Sequence, residues 1–357
     1  MNQYESTQPV VAEPAVLESG ASIIVRPVRS EDNGDLLQLA CMLDTMNLPR
    51  DPDVIAGIIA TSETAFACLD TPPEQEIAST YTLVATQGSQ VLGTASLLSH
   101  HGTPADPHYY LRVVEHTFHS AQLNTKRTRH VLRLEHDEEP WTEFGGLIVH
   151  PEARGQGIAK LLFAARLLLV AMHPAHFCTR LLTELLPPRR TDGGNAFWDA
   201  LGGPLTGLNY YRADLLCRSD KEFIGALFPH HEIVLELLPP EAQDIVGEVG
   251  PTTAPARALF QRAGFNYLYT VDPFDGGPHY GAELQAVEPL QRSRCLVCLD
   301  LPPSEADARL LLSNPQSHQF CTADCQIQGH GLRLESSIQQ PLSLQAGAPV
   351  WSIPLDW

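Results

Sequence analysis

The sequence contains no apolar run of about 18 residues, which is the length that a membrane-spanning helix needs. Its longest candidate, residues 161–171, is shorter and includes Arg166. The first residues have neither the basic start nor the apolar core of a signal peptide. We therefore expect a cytoplasmic protein that does not enter a membrane.

Positive charge is also scarce. Lys and Arg together number 23, against 42 Asp and Glu, and the formal net charge is -19. Binding to nucleic acid depends on clustered basic side chains, so this composition argues against a nucleic-acid partner. The negative field favours a cationic substrate such as a guanidino compound, although an acidic surface also serves solubility alone.

The chain has eight cysteines and no expected leader, which indicates free thiols. Four of them form two close pairs, Cys295 with Cys298 and Cys321 with Cys325. Paired cysteines can form a tetrahedral zinc site, which leaves zinc open here. Because the second spacing is wider than usual and the flanks resemble strands, we expect no metal.

The segment 147–170 reads as a short apolar strand, a glycine-bearing loop and an apolar helix. Its loop has the order Arg154, Gly155, Gly157, Ala159. The glycines let the backbone approach a ligand closely, and the first amides of the helix point free N–H groups at it. Such an end attracts phosphates, and an Arg adds a full charge. The loop is therefore a candidate pyrophosphate site, the alternative being an ordinary turn.

Two common phosphate motifs do not fit this loop. A dinucleotide fingerprint would have a third glycine where Lys160 stands, and the ATP-binding loop would continue with Gly-Lys-Ser/Thr. Residues 147–162 instead resemble the acyl-CoA loop of the GNAT acyltransferases. The predicted acyl-CoA contacts are Leu147, Val149, Arg154, Gly155, Gln156, Gly157, Ile158 and Ala159.

The order of predicted elements is also similar to that of the GNAT acyltransferases. Predicted strands cover 23–28, 81–85, 91–98, 109–114, 131–134 and 141–149, and predicted helices begin at Ser30 and span 53–67. The resemblance implies an α/β (α+β), GNAT-like fold. Two later segments, 195–202 and 258–265, both look like a helix that ends at glycine. They indicate a duplicated unit or a large insertion, or are two ordinary helix ends.

A chain of 357 residues exceeds one average domain, and a hydrophobic content of 43% supplies a sizeable core. We expect a flexible lead-in at 1–21 and a GNAT-like acyl-CoA-binding domain at 22–205. A second GNAT-like half at 206–293 would complete the substrate site. Residues 294–357 read as a small β-rich C-terminal unit.

Several motifs in the second half resemble the arginine N-succinyltransferase family. The matching segments are 197–202 (FWDALG), 211–217 (YRADLLC), 223–229 (FIGALFP) with His231, 240–249 (PEAQDIVGEV), 253–257 (TAPAR) and 274–278 (FDGGP). The resemblance implies transfer of succinyl from succinyl-CoA to the α-amine of arginine, without a metal or redox cofactor. It also assigns Leu147 as a succinyl-CoA contact.

One position departs from that family. Its proposed proton-donating histidine corresponds to Gly250, which has no side chain to exchange a proton. His231 matches a histidine position of the family and is the candidate catalytic residue, whereas His230 matches none. The leaving thiolate could take its proton from Cys217, although core packing suits that thiol better.

Two carboxylates, Glu184 and Asp214, are candidates to bind a guanidinium, and each is equally an ordinary ion pair. The first hypothesis is an N-acyltransferase that acts on arginine or a similar basic amine by direct transfer in a ternary complex. The alternatives are an acyltransferase with another donor or amine, and a catalytically weak or silent CoA-binding relative that serves as a partner subunit. Assembly with itself or with a related chain is compatible with either.

Overall fold

The computed structural model describes residues 22–42, 48–73, 78–137, 139–190, 193–217, 221–300 and 302–357. The predicted lead-in at 1–21 lies outside these residues. Within them, fifteen strands form one sheet. In the same ranges, no helix is both long and apolar enough to cross a membrane.

The strands are numbered in chain order. They are β1 Ile23–Pro27, β2 Thr80–Gln87, β3 Gln90–His101, β4 Tyr109–Ser120, β5 Thr125–His136, β6 Trp141–Val149, β7 Arg180–Glu184, β8 Ile233–Val234, β9 Asn266–Val271, β10 Pro278–Glu283, β11 Arg294–Leu299, β12 Ala308–Asn314, β13 Gln319–Gln328, β14 Gly331–Arg333 and β15 Pro349–Pro354. The helices are α1 Asn33–Met42, α2 Pro52–Ala67, α3 Ile158–Met172, α4 Ala196–Ala200, α5 Gly202–Thr206, α6 Tyr210–Cys217, α7 Glu222–Leu227, α8 Pro240–Gln243, α9 Ala254–Ala263, α10 Glu288–Gln291 and α11 Ser336–Gln339.

Helices cover both faces of the sheet. Successive side chains of a strand point to opposite faces, and β2 has apolar side chains on both, so each face needs a covering layer. In β2, Leu83 and Ala85 pack into the core that contains α3, whereas Val84 between them packs with α1. The predicted early strands and helices are confirmed. The start of α2, for example, is set by a capping residue. Asp51 accepts hydrogen bonds from the N–H groups of Asp53 and Val54.

The sheet is mostly antiparallel, but β6 and β7 run parallel. They pair only where Thr142 faces Leu181 and Glu143 faces Leu182, and beyond these residues the two strands part. The neighbouring pairs, β3 with β6 and β7 with β10, continue along both outer sides. The parting leaves a gap inside the sheet, directly before the glycine-bearing loop.

The β4–β5 hairpin is longer than the sequence predicted, with each strand twelve residues long. Its outer half carries mostly exposed side chains, so apolar alternation marks only the inner half. In the sheet the hairpin lies between β9 and β8 rather than beside β6. This position brings the start of β4 to the same side of the molecule as the end of β7.

The two segments that looked alike in sequence differ in structure. Gly264 ends α9 with a left-handed φ of 112°, as predicted for a C-cap. The interpretation of Gly202 as a C-cap is wrong, because α5 begins at that residue. Gly202 is needed instead for close packing, since a Cβ there would lie 2.3 Å from the ring of Trp198.

The C-terminal strands extend the same sheet. Strand β13 pairs with β1, placing Cys321 opposite Ile24 and Phe320 opposite Val25. Cys298, Cys321 and Cys325 are buried and Cys295 is exposed. Within the described ranges these cysteines form no cluster of metal-binding donors. The division into domains remains a prediction.

Candidate active site

The predicted phosphate loop has the backbone that the sequence indicated. Gly155 and Gly157 adopt left-handed φ values of 77° and 83°, and Gly157 is the N-cap of α3. A Cβ on either glycine would meet nothing within 4 Å, so conformation and not crowding requires glycine. The first helical N–H groups face the space outside this turn, as at any helix N-terminus.

The other predicted acyl-CoA residues surround this turn. Arg154 is exposed, and its Nε donates to the carbonyl oxygen of Val149 at 3.4 Å. Gln156 braces the turn by donating from Nε2 to the carbonyl oxygen of Glu152 at 3.2 Å. Leu147 and Val149 are half-buried against the core, as is Ala159, while Ile158 is fully buried. Their contact with an acyl-CoA remains a prediction.

A β-bulge at Gly146 bends β6 away from β7. Gly145 pairs with Ser96 and Ile148 with Thr94, so β6 has one residue more than β3 between these pairs. Gly146 has a φ of 59°. The bend opens a cavity of about 230 Å³ on one side of β6, lined in part by Ser96, Gly145 and Ile148.

A second cavity, of about 210 Å³, is lined by residues at the end of β7 and in the turn after β9. Its charged lining residues are Glu143, Glu184, Asp214, Asp272, Asp275, His108 and Lys221. Glu143 and Gly145 line both cavities, which therefore meet at this part of β6. We call the second one the acidic cavity.

Two of its carboxylates belong to the tight turn between β9 and β10. Asp272 accepts a hydrogen bond from the N–H of Phe274 at 2.7 Å, and Asp275 accepts one from the N–H of Gly277 at 2.7 Å. The backbone N–H of Gly276 also donates to the Asp272 carbonyl oxygen. These bonds are the physical basis of the FDGGP motif, because they hold both carboxylates at the cavity wall.

The acidic cavity is lined by more acidic than basic side chains. Burial, and then the charge of Glu184, raise the pKa of Glu143 to about 7 and that of Asp272 to about 7. Burial followed by Asp272 also raises the pKa of Asp275. For Lys221, burial opposes the charged form, but Glu184 and Glu143 outweigh it and raise the pKa. A cationic ligand would relieve this repulsion.

Three histidines beside Glu184 were not singled out from the sequence. They are His101 at the end of β3, His108 before β4 and His279 in β10. All three are buried. The sequence signal was the abundance of His in residues 99–140, but nothing local linked it to Glu184 or to His279.

The structure separates the candidate catalytic histidine from the acidic cavity. His231 is exposed after α7, and the described residues that line the cavity do not include it. His230 lines a different cavity with Tyr109 and His136. By contrast, Cys217 lines the acidic cavity, and burial raises its pKa to about 12, so it remains a neutral thiol. A catalytic role for His231 remains a prediction.

Gly250 is buried beside the cavity wall. Its N–H donates to the carbonyl oxygen of Leu186 at 2.9 Å, and Leu186 lines the acidic cavity. A Cβ at Gly250 would lie 2.7 Å from the carbonyl oxygen of Pro187. A side chain at the position where the family resemblance implies a proton donor would therefore force the backbone at Pro187 to shift.

Comparisons with known proteins agree with this architecture. The family model of the arginine N-succinyltransferase beta subunit matches residues 23–289. Proteins named arginine N-succinyltransferase from Salmonella schwarzengrund (strain CVM19633) and Enterobacter sp. (strain 638) are each 30% identical, over 84% of this chain and 88% and 87% of theirs. Subunit AI of arginine/ornithine succinyltransferase from Pseudomonas aeruginosa shares the fold, with a TM-score of 0.81 and 24% identity over 95% of this chain and 100% of its own.

Proposed function

Because the chain belongs to the arginine N-succinyltransferase family, we propose that it transfers the succinyl group of succinyl-CoA to the α-amine of arginine. The family resemblance predicted from the motifs is confirmed, as is the acyltransferase fold. The observation that carries the substrate assignment is the acidic cavity, which meets the cavity beside the β6 bulge at Glu143 and Gly145.

The acidic cavity suits the guanidinium group of arginine. A guanidinium stays charged and presents a planar set of donors that match carboxylates. Asp214, Asp272 and Asp275 supply acceptors on the wall formed by α6 and the β9–β10 turn. The guanidinium would reduce the repulsion among these carboxylates, whereas a neutral side chain would not.

The loop between β6 and α3 suits the donor. The N-terminus of α3, together with Arg154, can hold the pyrophosphate of CoA. The parting of β6 from β7 beyond Glu143 leaves strand edges along which the pantetheine arm can hydrogen-bond. In this arrangement the thioester lies at Gly145 and Glu143, where the two cavities meet.

Glu143 is placed to accept the proton from the attacking amine, because it lines both cavities. The amine nitrogen forms the new C–N bond with the thioester carbonyl carbon, and the C–S bond breaks. Glu143 takes the proton that the amine loses and passes it to the departing thiolate, so that CoA leaves as its thiol. Direct transfer of this kind needs no covalent enzyme intermediate.

Release of CoA from succinyl-CoA, with and without arginine, tests the proposal. We expect arginine-dependent turnover that E143Q lowers about a hundredfold or more, while D214N mainly raises the KM for arginine. The matched controls are E283Q and D324N, since both residues are exposed and outside the cavity. Equal turnover with acetyl-CoA and a neutral amine would contradict the substrate assignment.

Gly250 favours a second candidate function, a CoA-binding relative with weak or no activity that works beside a related chain. The chain has no side chain at position 250 that could exchange a proton, which supports this candidate. The backbone around Gly250 is also too close for a Cβ without a shift. Tight binding of CoA by the pure chain without arginine-dependent CoA release would favour this alternative. Activity that appears only on mixing with a related chain carrying His there would establish it.

A further inference from the structure

Three histidine rings converge on one carboxylate oxygen at the edge of the acidic cavity. The Nε2 atoms of His108, His101 and His279 lie 3.1, 3.8 and 3.9 Å from Oε1 of Glu184. The donor atoms of His101, His108 and Glu184 all lie within 4.8 Å of one another, and His279 joins this group through its approach to Glu184. We call these four residues the His3Glu cluster.

The other nitrogen of each ring is held by a neighbour. His108 Nδ1 lies 2.7 Å from Asp137 Oδ2, and His101 Nδ1 lies 3.2 Å from Glu143 Oε2. His279 Nδ1 lies 3.3 Å from the hydroxyl oxygen of Thr270. Such partners fix the orientation of a metal-binding histidine and the nitrogen that it presents. Here every ring is fixed with Nε2 pointing at Glu184.

The three inward nitrogens have no hydrogen-bond partner of good geometry among the described residues. Their side chains are only 8%, 4% and 1% exposed for His101, His108 and His279. Leaving one buried polar atom without a partner costs about 1–3 kcal/mol, so three atoms aimed at one point indicate a missing ligand.

Protonation accounts for only part of this arrangement. Burial opposes a charge on His108, but the neighbouring carboxylates of Asp137 and Glu184 raise its pKa to about 9. A proton on His108 would give a partner to the Nε2 of that ring alone. Burial, together with the nearby charge of His108, disfavours protonation of the other two rings. A single cation between all four residues would satisfy all three nitrogens together.

The distances from the three rings to Glu184 are close to those between the ligand atoms of a tetrahedral metal site. Metal–ligand bonds of about 2.0–2.1 Å place ligand atoms about 3.4 Å apart, and the three distances to Glu184 lie on both sides of that value. Imidazole nitrogens favour zinc and other late transition metals over magnesium or calcium. We propose that His101, His108, His279 and Glu184 bind one divalent transition-metal ion, with Zn²⁺ as the best fit.

This site departs from the expectation that no metal is bound. It would join the end of β3, the start of β4, the end of β7 and the start of β10, four segments that are distant in sequence. It would also neutralise Glu184 at the cavity wall and leave the aspartates to a cationic substrate. The metal is proposed to hold the wall in place, and no step of acyl transfer passes through it.

Metal content is the direct test. The full chain is stripped with a chelator, incubated with excess ZnCl2, freed of loose metal and analysed for zinc. We expect one Zn²⁺ per chain, a higher Tm with zinc than without it, and visible d–d absorption of Co²⁺ bound in place of zinc. Substoichiometric zinc together with an unchanged Tm would overturn the proposal.

Variants show where the metal lies. H101Q and H279Q should each lose the bound zinc, and D137N should weaken zinc binding about 10–100-fold by releasing His108. H100Q is the matched control, because His100 is next to His101 but only half-buried and hydrogen-bonded to Ser99. Equal loss of zinc in H100Q would overturn the assignment. If H101Q or H279Q fails to fold, a weakened Co²⁺ spectrum in D137N beside an unchanged one in H100Q still supports the site, and an unchanged spectrum in both would overturn it.

The outcome is separable from that of the proposed function, because zinc content and the Co²⁺ spectrum do not depend on turnover. A chain that succinylates arginine but binds no metal would refute this site alone. A chain that binds one zinc without turnover would leave the site intact and refute the activity.

Discussion

The guanidinium of Arg166 donates from Nη1 to the carbonyl oxygen of Gly145 at 3.1 Å, across the interface between α3 and β6. The same nitrogen donates to the Ser96 carbonyl oxygen at 3.1 Å, and the group lies 5.0 Å from the centre of the Phe144 ring. Burial lowers the pKa of Arg166 to about 9. A buried charge thus ties helix α3 to the bulge where the two cavities meet.

Removal of the Arg166 hydrogen bonds should lower the stability of the fold and weaken the binding of succinyl-CoA. R166M keeps much of the side-chain length but leaves two buried carbonyl oxygens without their donor, so we expect a loss of about 1–3 kcal/mol in the free energy of unfolding. The KM for succinyl-CoA should also rise. Urea unfolding and steady-state kinetics measure the two effects. R166K keeps a donor and should lose less; equal losses in both variants would show that the hydrogen bonds are not the cause.

A histidine at position 250 should harm the protein and not activate it. The Cβ of G250H would lie 2.7 Å from the Pro187 carbonyl oxygen, which belongs to the backbone and cannot rotate away. Overpacking of this kind costs about 1–3 kcal/mol or more, so G250H should lower the Tm without raising kcat.

Gly57 provides the control for that substitution. It lies in the middle of α2, and a Cβ at this position would meet nothing within 4 Å. G57A should therefore be neutral or should stabilise by about 0.5–1 kcal/mol. A G250H chain with a normal Tm and faster turnover would contradict the steric argument. It would also revive a catalytic side chain at that position.

A substitution in the loop before α3 should weaken the binding of succinyl-CoA and leave the binding of arginine unchanged. R154A removes an exposed guanidinium beside the helix N-terminus, and charge-assisted hydrogen bonds are worth about 1.5–3 kcal/mol. We therefore expect the KM for succinyl-CoA to rise about tenfold or more, with little change in the KM for arginine or in the Tm. R309A is the control, since Arg309 is exposed on β12. A parallel rise in both KM values would place Arg154 outside the donor site.

The sequence predicted those parts of the site that lie within one continuous segment. The turn before α3 was predicted because Gly155 and Gly157 follow Arg154 closely and act through the local backbone, and its binding of phosphate remains a prediction. The bulge at Gly146 was missed, although the pair Gly145-Gly146 inside a strand was a usable signal.

The rest of the site depends on pairing between distant strands. His101 and Glu184 come together only because β3, β6 and β7 are neighbours in the sheet, and His279 joins them because β10 pairs with β7. No local periodicity encodes that neighbourhood. The same limit applies to the β4–β5 hairpin, whose inner residues were predicted but whose place between β9 and β8 was not.

A histidine pair far from the acidic cavity should make the fold sensitive to acid. His173 Nε2 lies 3.0 Å from His318 Nε2, joining the end of α3 to the turn between β12 and β13. Burial, then the charges of His318 and His176, lower the pKa of His173 from 6.5 to about 4, and burial lowers that of His318. The unfolded chain therefore takes up protons near pH 6.5 that the folded chain refuses.

It follows that stability contributed by this pair is complete above about pH 6.5 and is lost as the pH falls towards about 4. The free energy of unfolding in urea, measured at about pH 7.5 and about pH 5, should drop less in H318Q than in the parent chain. In this variant one of the two rings with a lowered pKa is gone, and a proton on His173 no longer faces the ring of His318. H119Q, at an exposed position on β4, should show the full drop. If H318Q and the parent chain lose stability equally between these two pH values, the pair does not govern the acid response.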